Sequence, residues 1–233
     1  MINSSLSNTL ETLQVESQLI VNLGKTMTEK FGLNDLLVMS LAFISGFIIM
    51  SVELLGGRIL APYFGSSIFV WGSIITVFML SLSLGYLLGG KLSLLKPSLK
   101  VYGGFFITAS VLLIPLVLAG NDIMEEVFLM IEDPRYGSLA VSMLLFFMPT
   151  AVLGMIAPYS IRLLVVHFHH SGHIAGKLYF ISTLGSAIGT LGTSFYFVLW
   201  FEVNKIIWTM IAVLFLAGLT AVLRGHYSTN DSE

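Results

Sequence analysis

The chain has 233 residues, 56% hydrophobic and 10% charged, with a formal net charge of −2 and a mean hydropathy of +0.92. A soluble domain carries roughly 25% charged residues and must show part of its chain to water, so the composition excludes an ordinary soluble fold and points to lipid as the solvent. The charge argues against a nucleic-acid partner, which calls for a clustered basic face, and the absence of cysteine excludes disulfides, thiolate metal sites and thiol catalysis.

In chain order, residues 1–34 form a polar amino-terminal segment expected on the cytoplasmic side. It lacks a basic region followed by an apolar run, so the first span is expected to serve as the insertion signal. Leu6, Leu10, Leu13, Ile20, Leu23, Met27 and Phe31 recur near helical spacing. That pattern predicts an amphipathic helix lying on the membrane surface or docked on a partner.

A hydrocarbon core of ~30 Å needs ~20 apolar residues in a helix. Six stretches qualify, at about 36–60, 68–90, 101–120, 139–166, 174–200 and 203–223. The expected fold is an all-α membrane protein with a six-helix domain over 35–223 and a short cytoplasmic tail over 224–233. Lysine and arginine set the orientation. Lys25, Lys30, Lys91, Lys96, Lys100, Arg162, Lys177 and Arg224 fall on one side, against Arg58, Arg135 and Lys205 on the other. Both termini are therefore expected in the cytoplasm, in a bacterial inner membrane.

Glu53 stands inside the first span, five residues before Arg58, with Gly56 and Gly57 between them. An ionised carboxylate there costs ~3 kcal/mol on insertion scales, so it should face the bundle interior or water. A spacing of five is poor for pairing on a regular helix, although a break at the glycines would change that. A structural pair and a ligand or proton role both stay open. Between the third and fourth spans, residues 121–138 gather Asp122, Glu125, Glu126, Glu132 and Asp133 against Arg135. This reads as a solvated acidic loop or as a field that concentrates cations.

The second span carries Ser81, Gly85 and Gly89, and the fifth carries Gly185, Gly189 and Thr193. Such small-xxx-small faces let helix backbones approach closely in lipid. Each is second in its group of three spans, and an odd number of crossings inverts the second group. That is the arithmetic of two inverted three-helix repeats. Pro149 and Pro158 in the fourth span mark either a kink or a broken helix lining a polar cavity. Arg162 lies near the inner end of that span, where it can snorkel to the headgroups.

His167, His169, His170 and His173 form a short loop group, read as solvated and not as a metal site, since no cysteine or carboxylate is near. Tyr63, Trp71, Trp200 and Trp208 stand where spans meet the interface, as in an aromatic belt. No nucleophile–base–acid constellation, zinc helix or phosphate loop occurs, and no cofactor is called for.

Four strings carry a resemblance. They run Glu53-Leu-Leu-Gly-Gly-Arg-Ile-Leu-Ala-Pro-Tyr-Phe-Gly-Ser-Ser-Ile-Phe-Val-Trp71, Ser83-Leu-Gly-Tyr-Leu-Leu-Gly-Gly-Lys91, Gly154-Met-Ile-Ala-Pro-Tyr-Ser-Ile-Arg162 and Gly176-Lys-Leu-Tyr-Phe-Ile-Ser-Thr-Leu-Gly-Ser-Ala-Ile-Gly-Thr190. Over about residues 36–223 the chain resembles the membrane region of the fused transporter/spermidine synthase family. The second string also looks like the loop after the second helix of major-facilitator transporters, which implies a fold like half of such a transporter. In the fused relatives the membrane helices lead into a cytosolic aminopropyltransferase domain. The sequence to Glu233 holds none of that domain's catalytic residues, so the resemblance assigns no catalysis to any residue here.

Two functions follow as expectations. One is a transporter-like module for a small cationic amine such as a polyamine, with Glu53 facing the pathway and Arg58, Tyr63, Tyr86, Tyr159 and Arg162 as further candidates. Carboxylates and aromatic faces are natural receptors for ammonium groups, and a homodimer would complete a twelve-helix pathway. The other is a non-transporting anchor or regulatory subunit for a separate soluble aminopropyltransferase.

Overall fold

The computed structural model describes residues 32–95, 97–165 and 171–230, and only the backbone of Ser171 and of residues 227–230. The amphipathic pattern over 6–31, together with Lys96, His167, His169 and His170, lies outside the described residues. The chain divides into two compact units, Met1–Leu36 and Leu37–Glu233. In the first, the Gly32 N–H donates to the Asp35 carboxylate at 3.0 Å, placing an acid at a helix start where the dipole favours it. The second holds the helical bundle.

The protein is an all-α membrane protein, and six helices are long and apolar enough to cross a bilayer. They are α1 (Leu33–Phe64), α2 (Ile68–Ser93), α3 (Leu99–Leu118), α5 (Pro134–Leu164), α6 (Ser171–Gly192) with its continuation, and α8 (Val203–Asn230). The continuation of α6 is a π-helical turn over Thr193–Phe197 and a last turn, α7 (Val198–Trp200). Gly65, with φ of 78°, turns α1 into α2 through a left-handed conformation that glycine alone takes without steric cost.

One stretch differs from the sequence reading, and in another the structure removes one of two alternatives. Much of the expected acidic loop is a helix, α4 (Gly120–Met130). It buries Met124 and half-buries Ile123 and Val127, and it turns Asp122, Glu125 and Glu126 outward. Phe128 meets Phe64 edge-on at 5.9 Å, which pins α4 to the end of α1. In the fourth span, expected to be kinked or broken, α5 runs unbroken through Pro149 and Pro158, which removes the broken-helix alternative.

Glycines set the closest helix approaches. A Cβ on Gly85 would overlap the Ala151 carbonyl oxygen, and one on Gly89 would stand 2.5 Å from that of Met155, which joins α2 to α5. A Cβ on Gly185 would overlap the Phe43 carbonyl oxygen and one on Gly189 that of Phe47, which joins α6 to α1. Gly154 on α5 faces the Leu82 carbonyl as Gly46 on α1 faces that of Ser182. Between α3 and α8 the relation is reciprocal. A Cβ on Gly103 would stand 2.5 Å from the Gly218 oxygen, and one on Gly218 2.7 Å from the Gly103 oxygen.

These contacts exchange one half of the chain for the other. Helix α1 stands to α6 as α5 stands to α2, and α3 and α8 meet as mutual counterparts. The residue order along each seam makes α1 parallel to α6 and α2 parallel to α5. Because α1 and α2 join through a tight turn and run oppositely, α1 and α5 are antiparallel. The two groups of three spans are therefore inverted with respect to each other, the plan in which binding sites lie at the repeat interface.

Candidate functional site

Ser45 and Ile49 on α1 are the repeat counterparts of Leu153 and Ala157 on α5, since each lies three residues beyond the corresponding position, Ala42 or Thr150 for the first pair and Gly46 or Gly154 for the second. Together with Ala42, Ile156, Tyr86 of α2, and Leu178, Tyr179 and Ser182 of α6, these four line a cavity of about 40 Å³. The cavity thus sits where the halves meet. Its polar groups are two serine hydroxyls and two phenols, so it offers hydrogen-bond acceptors and aromatic faces without a fixed charge. A water or an ammonium head fits such a space, and a longer molecule does not.

Glu53 follows Ser45 and Ile49 at four-residue steps on α1 and so continues their stripe. At 1.5 Å per residue it stands ~6 Å beyond Ile49 along the axis. It is half-buried, and its carboxylate joins no ion pair among the described residues. Arg58 is exposed and does not pair with it. The helix stays regular through Gly56 and Gly57, so the unfavourable spacing of five is not relieved. Those glycines admit rings instead. A Cβ on Gly57 would stand 2.5 Å from the Trp71 indole, and one on Gly56 3.2 Å from the Phe146 ring. Trp71, expected in an interface belt, is thus also a packing residue between α1 and α2.

The other candidates scatter. Tyr86 is 48% exposed and lines the cavity. Tyr63 is half-buried beside Phe64, and Arg162 is exposed at the end of α5. Tyr159 is fully buried in a ring cluster, stacked on Tyr102 at 6.1 Å and edge-on to Phe105 at 5.1 Å. Its hydroxyl accepts from the Ser98 N–H at 3.0 Å. Tyr102 in turn meets the Ser160 hydroxyl at 2.7 Å and the Val38 carbonyl at 3.4 Å, tying α1, α3 and α5 at one end of the bundle. Tyr159 is therefore enclosed by protein and offers no face to a ligand.

Sequence reasoning passed over Ser45, Tyr179 and Ser182. Tyr179 lies six residues before Gly185, inside a string already singled out, but nothing in one sequence says which side of α6 meets a cavity. A second polar group joins α1 to α6. The Thr193 hydroxyl bonds that of Ser51 at 2.8 Å, and Ser51 donates to the Gly189 carbonyl at 3.3 Å. Ser186 adds a bond to the Gly46 carbonyl at 3.2 Å. Among the described residues no cluster of histidine and carboxylate side chains could hold a metal ion.

Comparison of the chain with protein-family models, with curated proteins and with solved structures finds no match.

Proposed function

We propose that the chain is a transporter-like membrane module that binds a small cationic amine at the interface of its two inverted halves. The observation that carries this reading is the half-buried Glu53 carboxylate, in no ion pair among the described residues, on the same stripe of α1 as the cavity between the repeats. An acid held at membrane depth without a protein cation is costly, and cation pathways are the common setting in which that cost has a use. Tyr86 and Tyr179 add π faces that attract an ammonium group. An extended amine enters only when the halves part, as in transporters whose repeats rock around a midplane site.

The resemblance of the quoted strings to the transporter/spermidine synthase family supports polyamines as the amine. The asymmetry of eight basic residues against three supports cytoplasmic termini in a bacterial inner membrane. A homodimer, giving twelve spans, is part of the proposal. The test is uptake of labelled putrescine and spermidine by proteoliposomes, with Glu53→Gln alongside. Wild-type flux should exceed that of empty vesicles and fall about tenfold in the variant, the equivalent of ~1.4 kcal/mol of charge-dependent binding. Flux equal to that of empty vesicles refutes the reading.

A further inference from the structure

A second concavity, apart from the cavity between the halves, lies between α1 and α8. Its volume is about 470 Å³, within the range of pockets that enclose small-molecule ligands. Phe43 and Phe47 of α1, Phe197 of the π turn, and Met210 and Val213 of α8 form walls that are apolar throughout their depth. The Thr209 hydroxyl on the wall already donates to the Lys205 carbonyl at 2.8 Å, so the interior requires no polar partner.

Lys205 closes one end of the groove. Its side chain is 68% exposed and pairs with Glu202 at 3.3 Å. Trp200, Trp208 and Tyr196 are exposed around the same end, as amphipathic rings are at the level of the headgroups. An apolar slot with an ammonium at headgroup depth is complementary to one kind of occupant, an amphiphile whose head is negative. We propose that this groove holds one acyl chain of an anionic phospholipid, with the lipid phosphate at the Lys205 ammonium. An ammonium has three donors and serves phosphate and carboxylate together. An exposed pair such as Lys205–Glu202 is weak enough to yield. The occupant also supports the seam between α1 and the π turn, because Phe47 and Phe197, whose rings lie 6.1 Å apart, are both walls of the groove. This site is independent of the amine reading.

The full chain, purified in mild detergent, is to be supplied with phosphatidylglycerol or phosphatidylcholine and read by native mass spectrometry. The wild type should retain one phosphatidylglycerol and little phosphatidylcholine. Lys205→Gln should lower retention of the anionic lipid several-fold, Glu202→Gln should raise it, and Thr209→Phe, which fills the groove, should abolish it. The lysine and glutamate variants alter exposed side chains only, so they read the proposal even if the filled groove misfolds. Equal retention of both lipids by the wild type, or retention of phosphatidylglycerol unchanged in Lys205→Gln, overturns the proposal.

Discussion

The Tyr159 hydroxyl satisfies the backbone N–H of Ser98 at the start of α3, where helix geometry provides no partner. Replacing it with phenylalanine removes that acceptor and leaves the ring packing intact. Tyr159→Phe should therefore lower stability in detergent by about 1 kcal/mol, read from thermal unfolding, while leaving the proposed amine binding unchanged. A loss of amine binding at unchanged stability would contradict its assignment to packing. Glu53 behaves oppositely. It joins no ion pair among the described residues, so Glu53→Gln should hold or raise stability while the proposed amine binding falls. The sequence made Glu53 legible because an acid in an apolar run is conspicuous whatever surrounds it. The packing role of Tyr159 was not legible for a matching reason, since a tyrosine near a helix end looks the same whether its hydroxyl meets a backbone amide or a ligand.

Among elements, α4 and the π turn were the least legible. In α4 the residues that face the bundle, Ile123, Met124 and Val127, are separated by acids that dominate the composition, so a search for long apolar runs passes over them. Met124 is 1% exposed, and Met124→Ala should cost about 2 kcal/mol through the cavity it leaves. Glu125→Gln on the outward face should change stability little, and a thermal scan of the two variants tests the assignment. The π turn has no sequence signature of its own. It begins at Thr193, whose hydroxyl donates to that of Ser51 on α1. A double-mutant cycle of Ser51→Ala and Thr193→Val should give a coupling of about 0.6 kcal/mol, the usual scale for interhelical hydrogen bonds in membranes. A coupling near zero would mean that the turn is held by packing alone.

At the scale of the whole molecule, the inverted arrangement makes a paired prediction. Gly85→Ala and Gly185→Ala each drive a methyl group into a carbonyl oxygen on the helix opposite, Ala151 in one case and Phe43 in the other. Both should destabilise by about 1–3 kcal/mol, and by similar amounts. Gly90→Ala, with open space around it, should be neutral or slightly stabilising by about 0.5–1 kcal/mol. Unequal losses at the first two positions would break the equivalence of the halves. The six spans were legible because lipid demands long apolar runs. The small-xxx-small faces of the second and fifth spans were legible because their glycines recur at four-residue steps. Their receiving positions, Gly46 and Gly154, have no second glycine four residues away and acquire meaning only once the helices are docked. The glycine seams also govern the order of assembly. Each joins a helix of the first half to a helix of the second, so α1, α2 and α3 enter the membrane with their closest-packing faces still open. Closure has to wait for α8, the sixth of these spans in chain order. Residues 1–132 expressed alone should therefore remain protease-sensitive, and co-expression with 133–233 should restore protection.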